Sequence, residues 1–551
     1  MDDFPKGFYL KKEQVDIAKE ILRYFDEGYD NIVLEAPTGV GKSAIAYLVH
    51  HFSDNLTTNI VCHQKLLQDQ YEKLLGDKIV VVKGKDNYRC FVIPDITVSN
   101  APCQFTGTCG VKFACEYYKL RSKFDSDPLV VSNYSLLFSL LDIGRPPTFR
   151  DLVIYDEAHN IEDIFTDYSK VRVSSDECEV YDKLSDIIED DEIKDRLRDL
   201  SFSVENFNIS KWRDDLDRIF AIKFKLREML TSLSEDFGDI TSLSDSDKKF
   251  ISRVLTVNNK ISDSFCKYNN YRKSLDKFDS KFVYDYKEDD EGFAFELTPI
   301  VVSDMVNKKM MELSRKRVFM SAVFPKGIEQ RIGINKVARV EVGSPFPVSS
   351  RRVVFIPVDY LSNKKLKDPM YDMSRYFKVF ENICKYHSEE NHSGLVLTSS
   401  YEFIKVILAA LSDKLENMGY KIITHNPDDR EERVREFVAN NGTSKYIIFS
   451  PSLFEGVDFV GDISRFQIIA KTPFRYLGSN YVREKMNVSR EWYEYDALLK
   501  VIQGCGRSTR QLEDSSVSYV LDGNALRIYN KYKRNIPKWF VEAVEVVRMR
   551  G

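Results

Sequence analysis

Short apolar runs recur along the chain and alternate with helical patterns, which predicts parallel sheets wrapped by helices. Between residues 14 and 25, apolar side chains return at helical spacing: Val15, Ala18, Ile21, Leu22 and Phe25. Asn31 to Glu35 then reads as a buried strand that runs into a glycine-rich turn and a helix beginning near Gly41. Strand, glycine-rich turn and helix in that order open an α/β domain of the phosphate-binding kind. Further strand-like runs fall at 59–62, 78–82, 129–131 and 152–155. The stretch 90–115 breaks the alternation. It lacks periodicity and predicts a small insert held by something other than an apolar core.

From about 162 to 281 the chain is highly charged and mostly helical in pattern, with clear periodicity at 180–200 and 212–233. This reads as a helical insertion. The pattern turns strand-like over 282–297, with Asp289-Asp290-Glu291-Gly292 as a hairpin turn, and rejoins the first sheet at Val318-Phe319-Met320. A second α/β region begins at Val353 to Ile356, with strands predicted at 394–398, 421–424, 446–449 and 466–470. A last strand at 518–521 precedes a C-terminal helix. The predicted fold class is α/β: two lobes with parallel sheets, the first carrying two inserts.

Composition changes this picture little. At 551 residues the chain is long enough for about three or four domains of ~150 residues each. It is 43% hydrophobic and 30% charged, a globular balance with no low-complexity tract. The net charge of −5 gives no global basic field, which is weak evidence against a nucleic-acid partner, since such a partner needs only a local basic groove. The first residues carry no basic-then-apolar leader, and no run approaches the ~20 apolar residues that cross a bilayer, so a cytoplasmic protein without membrane contact is expected. Nine cysteines, an odd number, argue against a disulfide framework in such a compartment.

Chemistry concentrates in four places. Ala36-Pro37-Thr38-Gly39-Val40-Gly41-Lys42-Ser43 is a phosphate loop. Its glycines let backbone N–H groups turn onto the phosphates of ATP, and the following helix adds its positive end. Lys42 is placed to reach the β and γ phosphates and Ser43 to ligate Mg²⁺. Asp156-Glu157-Ala158-His159 follows a strand, at the edge where open α/β sheets bind ligands. Asp156 is expected to hold Mg²⁺, and Glu157 to orient or deprotonate the attacking water. Gln503-Gly504-Cys505-Gly506-Arg507-Ser508-Thr509-Arg510 places Arg507 and Arg510 on one helical face, where they can offset charge on the γ-phosphate if the second lobe closes on the first. An accidental Lys-Ser, an acidic helix start or a solvated arginine pair would explain each motif singly, but not the three together.

The fourth place is a run of cysteines: Cys90, Cys103, Cys109 and Cys115 lie within 26 residues. Four thiolates suit zinc or an iron–sulfur cluster. Zinc sites more often use tight Cys-x-x-Cys hairpins, and none occurs here. The wider spacing permits a [4Fe–4S] core without requiring one.

Taken in order, these motifs resemble superfamily 2 helicases, and further segments resemble the XPD/DinG-like iron–sulfur branch. Cys62 to Gln70 is similar to that family's DNA-contacting motif. Lys83 to Cys90 is similar to its lead-in to the first cluster cysteine, and Val130 to Tyr134 to its segment before the acidic motif. Ser344-Pro345-Phe346 resembles its bridge between lobes, and Phe454-Glu455-Gly456-Val457-Asp458-Phe459 the motif coupling ATP state to the bound strand. Gln14 matches its adenine-side glutamine, although a surface glutamine on an amphipathic helix is nearly as good a reading.

The resemblance implies two RecA-like lobes with a [4Fe–4S] insert and an arch. The implied boundaries are 1–85, 119–162 and 282–345 for the three parts of the first lobe, 86–118 for the cluster insert, 163–281 for the helical arch and 346–551 for the second lobe. It also implies a monomeric motor moving 5′ to 3′ on single-stranded DNA and acting on forks or tailed duplexes in repair, replication or recombination. Zinc stays as the second choice of metal. One departure stands out: Ser321-Ala322-Val323 replaces the family's Ser-Ala-Thr, which removes a hydroxyl between hydrolysis and strand movement. A translocase that remodels DNA or displaces proteins without efficient unwinding is therefore the alternative function. A silent binding scaffold is disfavoured by the intact Lys42, Asp156, Glu157, Gln503, Arg507 and Arg510.

Overall fold

Two seven-stranded sheets, both wholly parallel, form the centres of two lobes. This computed structural model describes the chain except residues 1–3, 6–8, 10, 54–55, 102, 107–108, 143–148, 236–242, 276–281, 326, 369, 440–443, 455–456, 458, 510–512 and 548–551. The front sheet runs in the order Val337–Glu341, Asn31–Glu35, Ser314–Ser321, Arg150–Tyr155, Thr58–Cys62, Leu129–Asn133, Val80–Val81. Its strands are buried on both faces, which is why they read as continuous Val/Ile/Leu runs rather than alternating ones. The strand before the phosphate loop and the strand before the acidic motif flank Ser314–Ser321. Glu35 stands opposite Ser321 and Tyr155 opposite Phe319, so three motif-bearing strands end side by side.

The rear sheet runs Lys421–Ile423, Tyr446–Ser450, Gly394–Leu397, Phe466–Ile469, Ser516–Asp522, Arg351–Asp359, Val544–Val546. Most of these strands follow the predicted runs within a residue or two. The outer strands Val337–Glu341 and Val544–Val546 were not evident; the helix expected after the strand at 518–521 is Gly523–Tyr532.

The insertion is mainly helical, with long helices Trp212–Glu235 and Asp245–Leu275. The single helical stretch predicted over 180–200 is two helices, Cys178–Ser185 and Asp191–Glu205, parted where Asp190 caps the second through the Ile193 N–H. The hairpin Phe282–Asp289 and Gly292–Pro299 has the predicted turn. It does not belong to the front sheet, as the boundary at 282 implied: it pairs antiparallel with Val171–Ser174 in a separate three-stranded sheet. Its aromatic face needs a partner and finds one in the insertion's own core, with Phe295 and Leu297 packed among Leu216, Phe220 and Tyr181. The chain returns to the front sheet only at Ser314. Among the described residues no helix is long and apolar enough to cross a membrane.

Candidate functional site: a nucleotide cleft between the lobes

The phosphate loop turns sharply because its glycines must. Gly39 and Gly41 adopt φ of 85° and 87°, a left-handed backbone that other residues avoid. A Cβ on Gly39 would stand 2.2 Å from the Phe346 ring, and one on Gly41 would stand 2.4 Å from Gln14 Nε2. The lobe-bridging Phe346 and the first helix thus close on the loop from two sides. Gln14 is not on the surface: it is buried, and its Nε2 donates to the Val40 carbonyl at 2.7 Å. Its Oε1 is buried without a hydrogen-bond partner.

The acids arrive on the neighbouring strand. Glu157 holds a left-handed backbone with φ 49°, which costs about 1–2 kcal/mol for a residue with a Cβ. That turn brings its carboxylate 3.6 Å from Lys42 Nζ and 3.3 Å from His159 Nδ1. Asp156 is buried beneath it, accepting the Tyr71 hydroxyl at 3.0 Å and the Glu157 N–H at 2.9 Å. Burial, with Glu157 beside it, pushes the Asp156 carboxyl up to about 6. Burial also acts to raise Glu157, but Lys42, His159 and Arg507 outweigh it and hold that carboxyl well below the usual range. Two adjacent acids are therefore driven apart in proton affinity, and the nearby cations choose which one stays ionised.

His159 joins three motifs. Its Nδ1 lies 2.8 Å from Ser321 Oγ, and its Nε2 lies 2.9 Å from Gln503 Nε2 of the rear lobe. The Ser321 hydroxyl donates in turn to the Val323 carbonyl at 2.9 Å. Gln503 as donor requires a bare His159 Nε2, and so a proton on Nδ1 facing Ser321. Val323 itself is buried and contributes only backbone polar groups to this chain.

Gln503 lies in the last turn of helix Arg490–Cys505, and Arg507 follows in the bend beyond it rather than on a helical face as expected. The Arg507 guanidinium donates to the Gln503 carbonyl at 3.2 Å and the Val457 carbonyl at 3.1 Å. Thr38, Gly39, Lys42 and Ser43 from the front lobe, with Gln503 and Arg507 from the rear, line one cavity of about 520 Å³. Of the predicted loop residues, Ala36 and Val40 point instead into the front core. Ala36 extends the sheet through its N–H to the Ser321 carbonyl at 2.9 Å. Arg510 and Asp458 lie outside the described residues.

Two groups were not singled out in the sequence. Tyr71, which fixes Asp156, sits on the apolar face of helix Lys65–Leu75 and reads there as ordinary core. The second is a buried ionic seam. Glu162, one turn past the acidic motif, pairs with Arg331 at 2.7 Å and with Lys485 of the rear lobe at 2.8 Å. Asp163 pairs with Arg475, which also binds Asp496 at 2.6 Å. The seam borders a second inter-lobe cavity of about 480 Å³.

The cysteine insert is held by small clusters rather than one core. Cys90 and Cys103 share an apolar pocket with Ala101, and Cys109 packs against it; Cys115 lies beside Tyr88, Val98 and Tyr117. Burial, then Cys109 and Cys90, pushes the Cys103 thiol up to about 11. Three neighbouring thiols are a soft donor set, and a bound cation would reverse that rise. Among the described residues, no three His, Cys, Asp or Glu side chains stand close enough to hold a metal ion as placed.

Comparison with known proteins bears on the whole arrangement. Residues 7–181 match the family described as Type III restriction enzyme, res subunit, and residues 383–543 match the Helicase C-terminal domain family. Two relatives are each described as ATP-dependent DNA helicase YoaA. The one from Haemophilus influenzae is 21% identical, covering 97% of this chain and 94% of the relative. The one from Escherichia coli strain K12 is 22% identical, covering 94% and 92%. Among solved structures, an XPD helicase superposes with a TM-score of 0.62 at 14% identity, and S. tokodaii Xpd4 with 0.59 at 15%. Each alignment covers 98% of this chain and 100% of the other. Fold and cleft define a two-lobed α/β protein in which a phosphate loop, paired acids and a rear-lobe arginine line one cavity. Over nearly its whole length the chain is similar to proteins described as ATP-dependent DNA helicases, and its fold is that of the XPD structures, as its motifs implied.

Proposed function

We propose that the chain is an ATP-dependent DNA helicase that moves along single-stranded DNA, 5′ to 3′, and opens forks or tailed duplexes in repair, replication or recombination. The observation that carries this reading is the His159 bridge, which ties the acidic motif to Ser321 on one side and to rear-lobe Gln503 on the other. A group touching all three feels both the nucleotide and the relative position of the lobes.

In this reading Lys42 reaches the β and γ phosphates, and Ser43 and Asp156 hold Mg²⁺, which screens phosphate charge. Glu157, kept ionised by its neighbours, orients the attacking water or takes its proton, and its lowered proton affinity favours the orienting role. Arg507 offsets charge on the γ-phosphate, and Arg510 joins it on the strength of sequence alone. Pro37, Thr38, Gly39 and Gly41 shape the phosphate cradle, with Ala36 and Val40 fixing its ends. The buried Gln14 Oε1 accepts a donor from the adenine side, and Asp458 couples the strand to the ATP site by resemblance. The working form is a monomer inside the cell, with the domain divisions set out above and the hairpin 282–299 assigned to the arch.

Cys90, Cys103, Cys109 and Cys115 are the ligands we assign to a [4Fe–4S] cluster, which would staple a core-poor insert. Elemental analysis of anaerobically purified protein should find iron; zinc without iron would refute the assignment. The helicase reading is tested on duplexes with single 5′ or 3′ tails, where displacement from the 5′-tailed substrate is expected. The Val323 departure favours a second reading, a translocase with weak unwinding. ATP turnover with no displacement from either tail would select it.

A further inference from the structure

Successive side chains of strand Phe282–Asp289 point to opposite faces. Tyr284 and Tyr286 turn toward the insertion, where Tyr284 meets Trp212 at 5.7 Å and Phe295 at 5.8 Å, and Tyr286 meets Phe293 at 6.0 Å. Asp285 between them faces the rear lobe. Its carboxylate accepts the Asn480 N–H at 2.7 Å and the Ser479 hydroxyl at 3.1 Å, while Asn480 Nδ2 donates to the Tyr284 carbonyl at 3.1 Å. A carboxylate here satisfies open N–H groups and opposes the helix dipole. The helix it caps, Asn480–Val488, also carries Lys485, the buried partner of Glu162. One nine-residue helix is thus gripped by the insertion at its start and by the segment after the acidic motif near its end.

Along the backbone the insertion leaves and rejoins the front lobe through Ser169–Lys170 and Ile300–Val302, and beside that junction Lys267 Nζ lies 5.4 Å from the Tyr168 ring. Far from the hairpin, Asn259 Nδ2 donates to the Ser99 carbonyl of the cysteine insert at 3.1 Å. The insertion therefore spans from the rear lobe to the cysteine insert on two short tethers.

We propose that Asp285 fixes the helical insertion to the rear lobe, so that it travels with that lobe and shifts against the front lobe and the cysteine insert when nucleotide closes the cleft. Asp285 is then a positioning residue that transmits ATP state to the far end of the insertion. This inference rests on the helicase reading above.

The test is energy transfer on the full chain, labelled through a keto amino acid at the exposed positions Asp16 of the front lobe, Glu228 of the insertion and Glu416 of the rear lobe. It compares protein on a single-stranded oligonucleotide with and without ADP–beryllium fluoride. The 16–416 and 16–228 pairs should change, and the 228–416 pair should hold. In Asp285→Ala the 228–416 pair should begin to change, and strand displacement per ATP should fall about tenfold while ATP turnover stays within about twofold. Asp285→Asn, isosteric and neutral, should give the same direction to a smaller extent. A constant 16–228 pair beside a changing 228–416 pair in the unsubstituted protein overturns the proposal. So does an Asp285→Ala chain indistinguishable from the parent. No change in the 16–416 pair would mean the lobes do not close on nucleotide, and the helicase reading itself would fall.

Discussion

His159 of the front lobe and Gln503 of the rear lobe meet at 2.9 Å, ring nitrogen to amide nitrogen, and the same ring lies 3.3 Å from the Glu157 carboxylate. The contact makes the distance between lobes part of the candidate site. Losing a partner from a buried hydrogen bond costs about 1–3 kcal/mol, roughly a 5- to 150-fold change. Gln503→Ala should therefore lower DNA-stimulated ATP turnover within that range while leaving basal nucleotide binding unchanged. Steady-state turnover with and without single strand, alongside nucleotide titration, checks it.

Lys42 is the loop cation nearest the acids, 3.6 Å from Glu157. Lys42→Ala should cut turnover by at least about 100-fold, the scale expected when a charge-stabilising donor is removed. Binding of a fluorescent single-stranded oligonucleotide should stay within about twofold, because Lys42 lies in the nucleotide cleft.

Arg507→Ala should lower kcat by about 1000-fold with little change in nucleotide affinity, as for a finger that acts mainly in the transition state. Arg507→Lys should not restore it, since one ammonium cannot both bond the Gln503 and Val457 carbonyls and face the phosphate. Single-turnover hydrolysis distinguishes this from a binding defect.

Val323→Thr returns a hydroxyl beside the Ser321–His159 chain. One added hydrogen bond is worth about 1 kcal/mol, roughly a fivefold effect. Strand displacement per ATP hydrolysed should rise by about that factor while turnover changes less. An unchanged ratio would mean the departure has no part in coupling.

Buried histidines add to the acid sensitivity of the fold. Burial lowers His50 to about 4 and His387 to about 3, below the ordinary 6.5. The unfolded chain takes up these protons near 6.5 and the folded chain does not, so stability is full above 6.5 and falls as pH drops toward 4. His387→Gln should flatten that fall. Urea titrations at pH 7 and pH 4.5 read both slopes.

Much of the cleft was legible because its chemistry demands particular residues at short spacing. The phosphate loop, the paired acids and the Gln–Arg motif each lie on one turn and the adjoining element, so their neighbours in sequence are their neighbours in space. The helical insertion was visible as charge without strand pattern. What escaped depends on packing between distant segments. Tyr71 carries no local mark that separates it from core, and its partner Asp156 lies 85 residues away. Glu162 and Lys485 look like ordinary surface charges until the lobes bury them together, at 8% and 5% side-chain exposure. Gln14 was ambiguous because amphipathic periodicity marks a buried face without saying whether a core or a loop covers it. The hairpin at 282 was read correctly as a hairpin and grouped with the first lobe, since strand pattern does not name a partner.

The central claim is that hydrolysis is assembled across two lobes and governed by a bound strand. The most direct measurement is ATP turnover by the unsubstituted chain with and without single-stranded DNA, on protein of known iron content. The account expects low turnover alone and a rise of tenfold or more with the single strand. Turnover that is brisk without DNA and indifferent to its addition would contradict it.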